Sequence, residues 1–510
     1  MGSTPGPPLD TARHIRYWQR CFRSVLPHYY VSNDSSRLSI GCFILSALDL
    51  LSSASSYSAP PSDPLKASLI TPDDRARLRP WILSLQHPHG GFCGSPHHVL
   101  PSRFTTRFDF EREIDVAGDP DNANIAATYF ALILLGILAQ DDGTKAFEGV
   151  DRVRTLRWLK RLQREDGSFG ELITEDGYVG GGRDMRYCYL AATIRWALGG
   201  AGDEDLDFDV DAMVAYIRQG QTFDGGVAES STHESHAGYA YCATAALSLL
   251  DFANPNAAQE PQRYLRAGIP SIPALVHFLA CRQFAYLDPP DDPSPDDDGD
   301  DDPSNAPPDL STLSLDPGAD IPIAGFNGRL NKVADSCYTW WVSGTLSMLG
   351  EGGLVERGPA RAFIIDKTQH LIGGFAKHPG DPPDIYHAYL GLAALATMAG
   401  DGGDDAREPG LGRIDARLCV GAEVVERIAR AREALLAGAS ASGVDGENNG
   451  VADESDEEEL EFGNDGEGEK IDWDEMGREM EAWRAKWKAE GKAPALEMDR
   501  WSPFNKPTLS

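Results

Sequence analysis

The stretch Leu162-Gln-Arg-Glu-Asp-Gly-Ser-Phe-Gly170 decides how the rest of the chain is read. A helical segment ends near a glutamine, a glycine-bearing turn with an aromatic residue follows, and then another helix begins. Degenerate copies recur at Leu85-Gln-His-Pro-His-Gly-Gly-Phe-Cys-Gly94, Gly220-Gln-Thr-Phe-Asp-Gly-Gly-Val227, Ala324-Gly-Phe-Asn-Gly328 and Gln369-His-Leu-Ile-Gly-Gly-Phe375. Between them lie small-residue segments with apolar positions at i, i+3 and i+4, such as Ser39–Leu51, Ile125–Leu138 and Ala243–Leu250. That spacing is the period of a helix, and strand-like alternation is scarce. Repeated helix pairs must stack to bury their apolar faces, and about five or six pairs can close into a ring. The expected fold is all-α: an α/α barrel (toroid) of paired helices around a central cavity. Periodicity alone leaves an open solenoid as the alternative.

The formal charge of −33 over 510 residues is concentrated in two segments. Residues 284–320 hold twelve Asp and no Lys, Arg or Glu, and residues 440–475 hold fifteen acids against Lys470. The remainder is ordinary for a soluble domain, and the acidity argues against nucleic acid as a partner. Three parts follow: a catalytic-size domain over 10–437 interrupted by a disordered Asp/Pro-rich insertion at 285–320, an acidic linker over 438–471, and a tail over 472–510. The tail carries an amphipathic helical pattern, Asp472 to Glu490, with Trp473, Met476, Met480, Trp483 and Trp487 on one stripe.

Eight scattered cysteines without framework spacing read as reduced thiols of a cytoplasmic protein. No secretory leader is recognised, and the longest apolar run, Ile125 to Ala139, is too short to span a bilayer, so no stable membrane insertion is expected.

The chemistry concentrates in two segments. The first is Gly325-Phe-Asn-Gly-Arg-Leu-Asn-Lys-Val-Ala-Asp-Ser-Cys-Tyr-Thr-Trp-Trp341, the second Gly373-Gly-Phe-Ala-Lys-His-Pro-Gly-Asp-Pro-Pro-Asp-Ile-Tyr-His-Ala-Tyr389. Asp335, Cys337 and His387 form an O/S/N set that suits a catalytic zinc with one coordination position open. Arg329 and Lys332 put fixed positive charge just upstream, where a phosphorylated substrate could dock. Taken singly these residues have plainer readings. An Asp two residues before a Cys is also a helix N-cap before a buried thiol, and a lone His is also a hydrogen-bonded core residue. His236 precedes Ala237-Gly238, where backbone can approach a ligand closely. His233 fits the same description, with a plain loop position as the alternative. The DxDD-like spacings within Asp296–Asp302 sit in low-complexity sequence and are read as solvated charge.

These segments, together with His14-Ile-Arg-Tyr-Trp-Gln-Arg-Cys-Phe-Arg23, Ser36-Arg-Leu-Ser-Ile-Gly-Cys-Phe-Ile-Leu-Ser-Ala-Leu-Asp-Leu50, Asp184-Met-Arg186 and Glu234-Ser-His-Ala-Gly238, resemble the β subunits of protein prenyltransferases, and within them the type I geranylgeranyl-transferring branch. The resemblance covers roughly residues 10–435 without the acidic insertion. It implies an α/α barrel with a funnel-like cavity and a separate prenyltransferase α subunit as heterodimer partner. It implies one zinc held by Asp335, Cys337 and His387, and a diphosphate held by His236, Arg329, Lys332 and Tyr338. Arg186, Tyr189, Tyr129, Gly238, Cys242 and Trp341 would line the isoprenoid and peptide pocket, with Ser39 and Phe43 setting chain length. Lys377 stands where farnesyl-transferring relatives carry a magnesium-linked Asp, so magnesium is expected to be dispensable. The implied reaction moves a C20 group from geranylgeranyl diphosphate to the cysteine of C-terminal Cys-a-a-X proteins, X preferably Leu, such as Rho-type small GTPases. A farnesyltransferase β subunit is the runner-up, which Ser39 and Lys377 oppose. From another class, the chain could be an inactive helical scaffold whose acidic tail recruits partners.

Overall fold

A computed structural model describes residues 8–53, 68–96, 107–109, 114–116, 123–140, 143–173, 178–254, 256, 258–288, 321–398 and 408–442. These belong almost entirely to one unit built from Met1–Asp288 and Pro308–Gly438. Nearly all of the acidic insertion, the linker beyond residue 442 and the Trp-rich tail lie outside the described residues.

The helices are α1 (Thr11–Arg23), α2 (Arg37–Ser53), α3 (Pro72–Leu83), α4 (Ile125–Leu138), α5 (Arg152–Arg161), α6 (Met185–Leu198) and α7 (Val210–Gln219). Next come α8 (Ala237–Phe252), α9 (Arg263–Gly268), α10 (Ile272–Ala280), α11 (Ser336–Met348), α12 (Arg357–Ala362), α13 (Ile385–Met398) and α14 (Ala422–Ser442). The alternation of helix character explains the layering. α4 reads Ile-Ala-Ala-Thr-Tyr-Phe-Ala-Leu-Ile-Leu-Leu-Gly-Ile-Leu and buries thirteen of its fourteen residues. A helix that is apolar on all sides needs neighbours on all sides. By contrast α5 carries Arg and Lys on one face and buries Thr155, Leu156, Trp158 and Leu159 on the other. Helices of the first kind form an inner ring and those of the second kind an outer layer.

The inner ring closes. α2 packs on α4, α4 on α6, α6 on α8, α8 on α11, α11 on α13, and α13 back on α2. The toroid expected from the repeats is therefore the fold, and the open solenoid is not. The outer helices α1, α3, α5, α10 and α12 pack respectively on α2, α4, α6, α11 and α13, while α8 is covered by α9.

The glycine turns do the joining. In four of the five, a glutamine and the aromatic or apolar residue six positions on form an isolated antiparallel bridge: Gln86 with Phe92, Gln163 with Phe169, Gln221 with Val227, Gln369 with Phe375. The residue two positions past three of these bridges, or past Phe326, then reaches the next helix back in the ring. The amide of Ile125 donates to the Glu171 carbonyl, Met185 to Glu229, Ala237 to Gly328 and Ser336 to Lys377, at 2.9 to 3.0 Å. Ile385 closes the series on the Tyr30 hydroxyl at 3.1 Å. First-turn amides have no partner inside their own helix. Satisfying them from the neighbouring repeat gathers the N-termini of five inner helices at one end of the ring.

One helical stretch among the described residues, His28–Ser52, is long and apolar enough to cross a membrane, longer than the Ile125–Ala139 run read from sequence. Its Leu38–Leu51 part is nonetheless core, packed on α1, α4 and α13.

Candidate active site

The inner-helix N-termini form a polar rim. Their caps are Asn124, Asp184, His236 and Asp335, each accepting a first-turn amide through its side chain. Asp384 does the same for α13, taking the His387 amide at 2.9 Å. Because α11 and α13 are neighbours in the ring, their first turns bring Asp335, Cys337 and His387 together. Their donor atoms all lie within 4.8 Å of one another, and all three residues are buried. His387 Nε2 is 3.5 Å from Asp335 Oδ1. Both plain readings hold alongside this one: Asp335 is an N-cap, accepting the Cys337 amide at 2.8 Å, and His387 is hydrogen-bonded.

The electrostatics of the cluster are those of a site built around charge. Burial alone would raise the Asp335 carboxyl, but the facing His387 imidazole, with His378 and Lys377 adding to it, holds it below the ordinary carboxylate range. Burial pushes the Cys337 thiol up to about 12, and the Asp335 carboxylate adds to the effect. Burial opposes a charged imidazole at His387, yet Asp384 and Asp335 carry its pKa well above the usual value. A buried acid, thiol and imidazole converging this closely fit a zinc ion: three ligands of accepted types, with a fourth position left open.

Asp384 was not singled out in the sequence, although it lies inside the quoted Pro-Pro-Asp-x-x-His motif. Its Oδ2 is 2.6 Å from His387 Nδ1, which leaves Nε2 directed at the cluster. A carboxylate behind a histidine is the usual way of fixing tautomer and ring orientation at a metal. The i, i+3 spacing before a helix start was the available signal. Lys377 comes to the same place through backbone. Its carbonyl takes the Ser336 amide at 3.0 Å, and Ser336 Oγ donates to the Ala376 carbonyl at 2.7 Å.

The proposed anion residues assemble next to this cluster. His236 Nδ1 accepts the Gly238 amide at 3.0 Å, leaving Nε2 2.9 Å from the Tyr338 hydroxyl. A Cβ at Gly328 would meet the Tyr338 ring at 2.2 Å, so only glycine lets the 327–332 loop pass over that ring. Arg329 pairs with Glu234 at 2.9 Å, and Lys332 is exposed on the same loop. His233 is an exposed loop residue, 2.9 Å from Ser230 Oγ through Nδ1.

Behind the rim, one aromatic residue from each inner helix forms a belt. Phe43 stacks near Tyr389, Tyr129 near Tyr189, Tyr189 near Tyr241 and Tyr241 near Trp340, with ring centroids 5.5 to 5.7 Å apart. Five of the six lie five residues after an N-cap, a periodicity hidden in the sequence because the caps themselves differ. Trp341 stands edge-on to Tyr241 at 4.9 Å, and Arg186 lies beneath the rim beside Tyr239 and its partner Asp184. Cys242 is buried, and Ser39 turns its hydroxyl back to the Ser36 carbonyl at 2.6 Å, one turn ahead of Phe43 on the same face of α2. Tyr241 and Tyr386 belong to this lining and were not named from sequence; Tyr386 packs on Phe43 at 5.7 Å.

A closed ring of six inner helices with an outer layer, holding an acid–thiol–imidazole cluster on its rim, defines the class. Residues 9–420 match the prenyltransferase alpha-alpha toroid domain, and the chain belongs to that family. It is similar to the geranylgeranyl transferase type-1 subunit beta of Arabidopsis thaliana, 27% identical with 78% of this chain and 88% of that one covered. It is likewise 25% identical to that subunit of Dictyostelium discoideum, over 76% and 90% of the two chains. The protein farnesyltransferase subunit beta of Pyricularia oryzae matches at 24%, over 77% and 63%. Among solved structures, the Candida albicans protein geranylgeranyltransferase-I complexed with GGPP superposes with a TM-score of 0.59 at 25% identity, covering 83% of this chain and 98% of that one.

Proposed function

We propose that the chain is the catalytic β subunit of a type I protein geranylgeranyltransferase, acting as a heterodimer with a prenyltransferase α subunit in the cytoplasm. The observation that carries this reading is the adjacency of the Asp335–Cys337–His387 cluster to the His236–Tyr338–Arg329 face. Its donor is geranylgeranyl diphosphate and its acceptors are Cys-a-a-X proteins with X preferably Leu, Rho-type small GTPases among them. One zinc per chain, held by Asp335, Cys337 and His387, would bind the acceptor cysteine and keep it as a thiolate at neutral pH.

The remaining work falls to side chains of this chain. The acceptor sulfur forms a bond to C1 of the prenyl chain as the C1–oxygen bond breaks, and the electron pair leaves with the diphosphate. His236, Arg329, Lys332 and Tyr338 hold that leaving group, so charge developing on it meets donors already in place. Lys377 adds a fixed cation beside the metal residues, which makes magnesium dispensable. Arg186, Gly238, Cys242, Tyr129, Tyr189 and Trp341 line the path of the chain, and Ser39 with Phe43 bounds its far part. Apolar burial along that path supplies donor affinity.

Farnesyl transfer is the second reading, favoured by the Pyricularia relative and opposed by the small Ser39 and by Lys377. The deciding experiment co-expresses the chain with an α subunit and compares farnesyl and geranylgeranyl diphosphates on Cys-a-a-Leu peptides. A faster C20 reaction with stoichiometric zinc supports the proposal. Preference for C15 moves it to the farnesyl branch, and absence of zinc and of turnover leaves an inactive scaffold.

A further inference from the structure

A buried cation lies behind the loop that carries Arg329 and Lys332. Strand Gln283–Ala285 pairs antiparallel with Ala324–Phe326, and Gln283 faces Phe326. The pairing runs one residue further, because the Asn327 amide donates to the Arg282 carbonyl at 3.1 Å. Arg282 and Asn327 are therefore cross-strand neighbours, close enough for long side chains to meet.

Both side chains are inside the protein, with 3% of Arg282 and 8% of Asn327 accessible. Arg282 Nε donates to the Phe278 carbonyl at 3.3 Å, and the guanidinium stands over the Phe278 ring at 4.8 Å. Its Nη1 is buried and has no hydrogen-bond partner among the described residues. Asn327 Nδ2 donates to the Lys332 carbonyl at 2.8 Å and so closes the loop on itself. Asn327 Oδ1 is likewise buried without a partner among the described residues. One unmatched atom is a donor on a cation; the other is an acceptor. Buried polar groups normally find partners, so two complementary ones idle on neighbouring residues call for a reason. Nor is the charge of Arg282 cancelled in an ion pair among the described residues. Asp224, the carboxylate that acts on it electrostatically, takes its hydrogen bonds from Thr222, Ser235 and the Gly226 amide.

The loop itself is tied to the rim. The Phe326 carbonyl takes the Asp335 amide at 3.0 Å, and the Gly328 carbonyl takes the Ala237 amide at 2.9 Å. Asn331 turns the chain back through a left-handed conformation, φ 57°. Arg329 and Lys332 ride between these fixed points, so a small movement of Asn327 resets both.

We infer that Arg282 is a positioning residue for this loop: its Nη1 takes up Asn327 Oδ1 when Arg329 and Lys332 close on a diphosphate. The inference rests on the prenyl-diphosphate reading of the rim. Without the donor the two groups stand idle. Ligand charge draws the loop into place and the hydrogen bond forms, so part of the donor's affinity comes from a contact that the donor does not itself make.

The test is a double-mutant cycle, read in dissociation constants for geranylgeranyl diphosphate with the full chain co-expressed with a prenyltransferase α subunit. Arg282→Met removes the charge and Nη1, and binding is expected to weaken about tenfold, the size of a hydrogen bond to a charged group. In an Asn327→Ala background the same substitution should cost less than about twofold, because its partner is already gone. Thermal melting of the donor-free complex should show no such coupling between the two positions. Arg282→Lys keeps the charge but cannot hold the Phe278 carbonyl and reach Asn327 together, so about fivefold weaker binding is expected. The Lys variant, taken through the same cycle, decides alone should the Met variant fail to fold. Additive losses of affinity at 282 and 327, full affinity in both Arg282 variants, or a coupling seen in the donor-free melting instead overturn the positioning role and leave the rim reading intact. A wild-type complex that does not bind geranylgeranyl diphosphate overturns both.

Discussion

The two ends of the ring are built from the same six helices and do opposite work. At the rim, the N-cap positions carry Asn, Asp, His, Asp and Asp, and each side chain accepts a first-turn amide of its own helix. Five residues further in, the same helices carry Tyr, Tyr, Tyr, Trp and Tyr, with neighbouring rings tilted or edge-on, and Tyr241 and Tyr389 donate to the Ala416 and Cys419 carbonyls of the Ala416–Cys419 loop. The rim concentrates ionisable groups; the belt concentrates aromatic faces. About one and a half helical turns separate them. A repeat fold achieves this because one helical register, copied around a circle, turns each position along the helix into a layer.

If the two layers are independent, damage to one should spare the other. Cys337→Ala removes a rim ligand, and peptide prenylation is expected to fall by roughly a thousandfold, since metal-supplied charge stabilisation amounts to several kcal/mol. Zinc content should be lost and C20 diphosphate affinity retained within a few-fold. Full turnover in a zinc-free Cys337→Ala protein would refute the metal assignment. Lys377 tests whether the rim supplies its own cation. The wild type should turn over in EDTA-treated buffer resupplied with zinc alone, whereas Lys377→Asp should be about a hundredfold slower and partly restored by millimolar magnesium. A wild-type requirement for magnesium is the opposite outcome and points to farnesyl transfer.

Asp384 touches the proposed metal only through His387. Asp384→Ala should lower zinc affinity by about 10- to 100-fold in competition with a chelator. An unchanged affinity would mean that the hydrogen bond to Nδ1 only caps α13. Ser39 lies in the first turn of α2, one turn on the rim side of Phe43, and Ser39→Trp should shift the C15-to-C20 rate ratio by about tenfold or more with zinc content unchanged. A constant ratio would place the length limit away from this wall. The smallest effect is expected at Glu234, which is half exposed and pairs with the Arg329 guanidinium. Glu234→Gln should tighten donor binding by about two- to fivefold, the size of a partly exposed ion pair. Weaker binding would show that Glu234 positions Arg329 instead of competing for it.

The sequence by itself determined the class of fold, the alternation of helices and the two motifs that carry the acid, thiol and imidazole. A glycine turn and an apolar helix are local patterns, and Asp335, Cys337 and His387 are carried by two contiguous motifs. Asp384 escaped notice because its role depends on which way the His387 ring is turned, which spacing does not specify. Only the tertiary structure decided that the ring closes, since closure depends on α13 meeting α2 across more than three hundred residues of chain. It alone placed Lys377 beside Asp335, through a backbone hydrogen bond between repeats. The contact between the belt tyrosines and the Ala416–Cys419 loop was invisible in the sequence for a related reason. A tyrosine in an apolar helix reads as core, and the Ala416–Cys419 loop has no motif. Their meeting is a matter of carbonyl oxygens, which every residue carries and no sequence pattern marks.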